Sequence, residues 1–466
     1  AVLTAAPIVS VWANLFAGGT GDTWSHLVAT VLPEYVLNTL WLCLGVGCGV
    51  IVVGVSTAWL VTMHDFPGRR VFAWTLVLPL AVPAYVMAYT YTDLLQFVGP
   101  VQSGLRESFG WQREDYWFPD VRTLGGAIAM FIFVLYPYVY LLARTAFLER
   151  ASGMLEVGRS LGLGAWGSFF RISLPLARPA IAAGATLALM ETLADYGTVA
   201  YFSVQTFTTG IYRAWFSLGD RAAAAQLSAA LLGFVVLVLL LERTSRGRAR
   251  FHNTTGRNRP HPGRRLSGLA AAGALFACAV PLLLGFLLPA GLLLNMALSE
   301  GDAQFGARFA QLAGNSFTLA ALTALLAVGF ALLLAYAARL SRSRWRGMMN
   351  RIVGLGYAVP GSVIAVGVLI PVTRLDNWLA GWIASWSGAN PGLLLTGGIA
   401  ALVYAYLARF LAIALQAVEA SLGKITSSMD DASRSLGLGQ GATLFRVHLP
   451  LLRGSLLTAG LLVFVD

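Results

Sequence analysis

The sequence predicts an all-α integral membrane protein made of two tandem, homologous six-helix halves. Three observations predict it: a composition too apolar for a soluble domain, a series of bilayer-length apolar runs, and a residue register that recurs about 275 positions later. Of 466 residues, 57% are hydrophobic and only 11% are charged, whereas soluble domains carry roughly 25% charged residues. Mean hydropathy is +0.71. A chain of this length could divide into two or three soluble domains, but no soluble packing needs so many runs of spanning length. The composition therefore excludes a soluble enzyme, a disordered chain, a coiled coil and a disulfide scaffold.

A spanning helix needs about 20 mostly apolar residues. Runs that qualify cover 36–61, 71–94, 124–147, 179–202 and 222–241, followed by a second series at 266–298, 315–338, 352–372 and 393–416. Two further pieces, 1–16 and 455–466, look cut short, so a parent of twelve spans is expected, truncated at both ends. Helix is the expected state, because barrel strands would show as alternating segments of about ten residues. No such alternation is present.

The loops give the orientation. Of 32 basic residues, all Arg except Lys424, 25 fall in 69–70, 144–178, 243–265, 339–351 and 409–453. The other seven, Arg106, Arg113, Arg122, Arg213, Arg221, Arg308 and Arg374, lie in the intervening loops. The two sets alternate along the helix series, which places the first set in the cytoplasm by the positive-inside rule. In a soluble protein this basic excess would suggest nucleic acid; here it follows from membrane sidedness.

The expected division is a first membrane domain at 1–241, an Arg-rich cytoplasmic linker at 242–265, and a second membrane domain at 266–466. The linker holds eight Arg with Pro260, Pro262, Gly256 and Gly263, a composition suited to a flexible connection beside anionic lipid. Cys43, Cys48 and Cys278 lie in apolar runs and match no metal-ligand spacing. His26, His64, His252, His261 and His448 form no cluster, and no tightly bound metal is expected.

The duplication is visible residue by residue. Positions 159–164 and 434–439 both read RSLGLG. At the same offset Phe170-Arg171 matches Phe445-Arg446, Leu174-Pro175-Leu176 matches Leu449-Pro450-Leu451, and Arg178 matches Arg453. Earlier, Ala81-Val82-Pro83 aligns with Ala358-Val359-Pro360, and Asn38-Thr39 with Asn315-Ser316. Chance matching of Leu and Gly does not keep a register over two helices and a loop.

Each half has one long cytoplasmic loop at the same place. The first reads Glu156-Val157-Gly158, three residues, Gly162, nine residues, Ile172, one residue, Leu174-Pro175. The second reads Asp431-Ala432-Ser433, three residues, Gly437, nine residues, Val447, one residue, Leu449-Pro450. An acidic residue suits the first turn of a helix. Gly162 and Gly164, with Gly437 and Gly439 in the second copy, permit a left-handed bend. A short second helix carrying Phe169, Phe170 and Ile172 is then expected, with Pro175 opening the next connection.

This pattern resembles the EAA loop of binding-protein-dependent ABC importer permeases: EAA, three residues, G, nine residues, I-x-LP. Val and Gly stand for the two Ala in one copy; Asp and Ser stand for Glu and the second Ala in the other. The resemblance implies the fold of a type I, MetI-like importer permease in which both loops dock on a cytoplasmic ABC ATPase dimer. It further implies a periplasmic substrate-binding protein as partner. ATP and Mg would belong to the ATPase, because no P-loop ending in Lys-Ser/Thr occurs here. No cofactor is expected in this chain, which would be a transporter subunit of the inner membrane rather than an enzyme.

A fused pair of permease domains resembles ferric iron, thiamine and some phosphonate importers. The run Glu191-Thr-Leu-Ala-Asp195-Tyr-Gly-Thr198, with Gln205 to Trp215 after it, is most similar to ferric iron permeases. Glu191 lies 12 residues beyond Pro179, about 18 Å along a helix. There a carboxylate costs roughly 2.5–3.5 kcal/mol and usually has a function. Asp195 follows one turn later, and Asp466 matches Glu191 in the repeat. The three could line a translocation pathway, where hard oxygen ligands suit ferric ion; alternatively they are Arg-paired or hydrogen-bonded structural carboxylates at a helix bend. A membrane-embedded enzyme lacks support, since no Ser/His pair or HExxH occurs in the spans. A secondary transporter would share the duplication but not the two loops.

Overall fold

The computed structural model describes residues 2–15, 21–160, 162–246, 264–299, 306–340, 344–388 and 391–465. Thirteen helices carry the architecture: α1 Val2–Leu15, α2 Leu32–Met63, α3 Ala84–Leu95, α4 Pro100–Phe109, α5 Leu124–Ser160, α6 Trp166–Ala194, α7 Arg221–Arg246, α8 Gly268–Ser299, α9 Ala307–Leu340, α10 Gly361–Ser387, α11 Ile399–Leu422, α12 Ser427–Ser435 and α13 Gln440–Val465. Among the described residues, nine helices are long and apolar enough to cross a membrane. The only strands there are His64–Asp65 and Arg264–Arg265, paired in parallel. Linker residues 247–263, and Asp466, lie outside the described residues.

Two expected spans are interrupted by a proline, and one of them is sharply bent. The run at 71–94 forms Arg69–Ala81 and Ala84–Phe109, which meet at 90°. Pro83, with φ −57° and ψ 140°, caps the second segment because a proline both lacks an N–H and keeps its predecessor out of the helical region. The repeat keeps this device: Pro360, at φ −56° and ψ 144°, caps α10. The span expected at 352–372 accordingly runs from Gly361 to Ser387.

The chain forms two compact units that do not follow sequence order. One comprises Ala1–Thr23, Ile211–Leu232 and Ala303–Asp466; the other comprises Trp24–Gly210 and Gly233–Asp302. Thus α1 belongs with the helices of the second repeat, and α8 with those of the first. In the Ala1-containing unit α1 packs on α10, where a Cβ at Gly367 would strike the Pro7 carbonyl.

In the Trp24-containing unit, α2, α5 and α6 form the centre of the apolar core. Lipid tails give no hydrophobic push between spans, so close backbone approach through small residues has to supply the packing. A Cβ at Gly54 would sit 2.7 Å from Val139 Cβ, and one at Gly184 would sit 2.7 Å from Val139 Cα. A wide i→i+5 turn at Leu283–Leu287 in α8 presents the Leu284 carbonyl to the Tyr91 hydroxyl, 2.6 Å away. In the other unit, Ala324, Ala327, Ala331 and Ala335 line α9 in a core completed by α11 and α13.

Gly184 tests this packing. Gly184→Val forces the α5 backbone to move and should cost about 1–3 kcal/mol, read as a lower thermal midpoint of the protein in detergent. Gly273→Val, where a Cβ meets nothing within 4 Å, should leave the midpoint nearly unchanged. Equal midpoints for the two variants would refute the close-packed interface.

Candidate functional site

The two repeated loops share a backbone design. After α5 the chain turns at Gly162, φ +77°, and after α12 at Gly437, φ +79°. A left-handed residue there costs glycine little and a β-carbon considerably more. At the second loop the turn is a complete Schellman closure: Leu438 N–H donates to Ser433 O at 3.0 Å and Gly437 N–H to Arg434 O at 2.9 Å. Gly164 and Gly439 are not left-handed. Their carbonyls accept from Ser168 N–H and Thr443 N–H, each at 2.9 Å, and so start the next helix.

The helix that follows is not the separate short element expected. Leu174 and Pro175 lie inside α6, and Leu449 and Pro450 inside α13. Proline is tolerated because a widened turn precedes it in both copies, at Phe169–Ser173 and Leu444–His448. Each of these spanning helices is therefore continuous with the repeated loop that precedes it. Glu156 and Gly158 lie in the last turns of α5, with side chains outside the described residues. Asp431 and Ala432 are exposed on α12, where Asp431 pairs loosely with Arg434 at 3.5 Å.

The anchors beneath the two loops differ in chemistry. Under the first, Phe169 packs on Trp59 of α2 with centroids 4.8 Å apart, and Trp59 packs edge-on against Phe147 of α5. Trp166 and Phe170 stack on the outside, 74% and 57% exposed. Under the second loop lies a polar triad. Asp430 Oδ1 is 2.7 Å from Nε2 of His448, while its Oδ2 is 2.9 Å from Nε and Nη2 of Arg339. Arg339 also donates to the carbonyls of Leu422 and Ile425, and Tyr336 donates to that of Gln440 at 2.7 Å. Tyr336, Arg339, Asp430 and Gln440 line a cavity of about 700 Å³ beside α12. The sequence reading assigned His448 to no cluster and gave Arg339 and Asp430 no site role, although Asp430 adjoins the motif and His448 stands directly before Leu449-Pro450.

The pathway carboxylates fall differently from expectation. Since α6 ends at Ala194 rather than at Phe202, Glu191 lies in its last turn, not at mid-helix. The helix ends at Ala194, so Asp195 leaves its face. The Asp195 carboxylate accepts from Thr198 N–H at 2.9 Å, Thr198 Oγ1 at 3.0 Å and Val199 N–H at 3.3 Å, capping the short helix Gly197–Tyr201. Its carbonyl accepts from Thr208 Oγ1, and nearby Asn38 Nδ2 donates to the Gln205 carbonyl at 2.9 Å. Asp195 is thus a hydrogen-bonded carboxylate just past the end of α6. Asp376, which the sequence reading passed over, is fully buried in α10 and accepts from the N–H groups of Leu394, Leu395 and Thr396. Among the described residues no group of three or more His, Cys, Asp and Glu could hold a metal ion.

Comparisons with known proteins converge on one family. Residues 50–247, which include the first repeated loop, match the family described as "Binding-protein-dependent transport system inner membrane component". An Fe(3+)-transport system permease protein of Haemophilus influenzae is 28% identical over 93% of this chain and 79% of its own length. A putative ferric transport system permease protein of the same organism is 24% identical over 98% of this chain and 73% of its own. The molybdenum transport system permease protein of Escherichia coli is 31% identical over 42% of this chain and 87% of its own. The chain belongs to the family of binding-protein-dependent transport system inner membrane components, as a multi-pass permease.

Proposed function

We propose that the chain is the membrane subunit of an ATP-driven importer of ferric iron in the bacterial inner membrane. A cytoplasmic ABC ATPase dimer would dock on the two repeated loops, and a periplasmic binding protein would deliver the substrate. The observation that carries the transport reading is the duplicated left-handed turn leading without a break into α6 and α13. A closing ATPase that moves such a loop moves a whole transmembrane helix. Similarity to ferric permeases over 93% and 98% of the chain supports iron as substrate, whereas the molybdenum permease aligns with 42% of it.

The residues then divide the work. Trp166 and Phe170 on one loop, and Leu436 and Phe445 on the other, present exposed apolar side chains to the ATPase. The aromatic and ionic anchors beneath keep each loop tied to its neighbouring helices. Motion of α6 displaces Glu191 in its last turn, and shifts the Asp195 cap on which the segment Gly197–Tyr201 depends. Ferric ion would meet these oxygens only in passing, because tight coordination would trap a trivalent cation.

Uptake by the complex reconstituted in liposomes tests the reading. ATP-dependent accumulation of ferric iron is expected, with none of thiamine, molybdate or sulfate; accumulation of one of those in place of iron would refute the substrate. Gly162→Val and Gly437→Val together should lower iron uptake about tenfold or more, as a β-carbon strains each turn by roughly 1–2 kcal/mol, while the protein stays folded. Wild-type uptake in that double variant would refute coupling through the loops. Glu191→Gln keeps the shape and removes the charge, so it should slow iron uptake; an unchanged rate would assign Glu191 a structural role.

A further inference from the structure

At the opposite end of α5 from its cytoplasmic loop, residues between Thr92 and Arg122 enclose a cavity of about 350 Å³. That volume falls within the range of small-molecule sites. By the charge alternation of the loops this is the periplasmic side, where basic residues are sparse. Three of the seven on that side, Arg106, Arg113 and Arg122, nevertheless gather here.

Their partners are unusual. Arg106 lies over the Phe97 ring at 4.1 Å from its centroid and donates to the Tyr116 hydroxyl at 3.0 Å. Arg113 lies over the same ring at 5.3 Å. Arg122 donates to the Tyr201 carbonyl at 2.8 Å. Among the described residues no carboxylate pairs with any of the three, although Glu107, Glu114, Asp115 and Asp120 are close in sequence. Asp115 accepts instead from the backbone N–H of Gln112, and Asp120 from that of Arg122. Rings, hydroxyls and a carbonyl thus hold the guanidiniums, with no carboxylate in direct contact among the described residues.

Arg113 and Arg122 line the cavity, with Asp120 as the one acidic group there. A second observation also points to a ligand. Thr92 lines the same cavity, is only 4% exposed, and its hydroxyl has no hydrogen-bond partner among the described residues. A buried hydroxyl left unpaired costs about 1–3 kcal/mol, which a ligand atom would recover. Beside it Gln102 is held on both sides, donating to the Leu95 carbonyl and accepting from Tyr116, so the polar wall is fixed in advance. Apart from Gln96 the remaining lining is apolar, including Leu95, Phe97, Phe118 and Val121. Guanidinium forks match planar carboxylates, and apolar walls favour a hydrocarbon body over a fully hydrated inorganic ion.

We propose that this cavity is an organic carboxylate site, with Arg113 and Arg122 holding the carboxylate and Thr92 hydrogen-bonding to it. The carboxylate could be carried by a dissolved organic acid or by an acidic side chain of a periplasmic protein. Calorimetric titration of the full chain in lipid nanodiscs with phenylacetate tests the site itself, independently of whether iron is the transported ion. Saturable binding is expected, about tenfold or more weaker in Arg113→Gln, a loss of about 1.4 kcal/mol or more. Thr92→Val should weaken binding by a smaller factor, and inorganic phosphate should bind at least about tenfold more weakly than phenylacetate. Should Arg113→Gln fail to fold, Arg113→Lys keeps the charge, loses the fork, and should still weaken binding. Loss of binding-protein association in the presence of phenylacetate would assign the carboxylate to that protein; undisturbed association would assign it to a dissolved acid. No saturable binding by the wild type, unchanged affinity in the Arg113 variant, or phosphate binding as well as phenylacetate would overturn the proposal.

Discussion

The continuity of α6 and α13 with the loops that precede them is the constraint on which the rest of the structure depends. A left-handed glycine reverses the chain at Gly162 and at Gly437, after which an unbroken helix runs to Ala194 in one repeat and to Val465 in the other. Helical hydrogen bonding transmits an axial push with little loss, whereas a loop between two separate helices would absorb it. The widened turns at Phe169–Ser173 and Leu444–His448 let Pro175 and Pro450 enter these helices without breaking them.

Beneath that shared backbone the two repeats have diverged in how they hold it. The first relies on Trp59, Phe147 and Phe169, which pack without directional bonds. The second relies on Arg339, Asp430 and His448, where geometry is strict. At the repeat offset, Ser173 takes the place of His448 and Leu155 that of Asp430, so the polar triad has no counterpart in the first half. A partly buried charge that loses its partner is costly, so the second loop tolerates less displacement relative to its helices than the first.

Much of the architecture was legible because bilayer length and charge asymmetry are properties of composition. The spans at 36–61, 124–147 and 315–338 sit within α2, α5 and α9, and the repeat register announced both left-handed glycines. Boundaries set by single residues were harder. Hydropathy alone carried the second expected span across Pro83, which its missing N–H forbids, and began α6 at Pro179 although residues 166–178, which include Arg171 and Arg178, are helical as well. Long-range polar pairs were invisible: Arg339 and Asp430 are 91 positions apart, and Asp376 finds its donors 18 to 20 positions onward. The exchange of α1 and α8 between compact units also leaves no local trace, since each is simply an apolar helix.

The central claim is that α6 moves as one rigid body from loop to last turn. Spin labels at Trp166 and Leu187 bracket the widened turn, and a third on α2 at Trp41, which is 60% exposed, serves as reference. Pulsed electron paramagnetic resonance on the complex, at rest and with trapped nucleotide, measures the distances. The account predicts a constant distance between 166 and 187 while both shift relative to 41. A change in the 166–187 distance, showing that the helix bends at Phe169–Ser173 instead of moving whole, would contradict it.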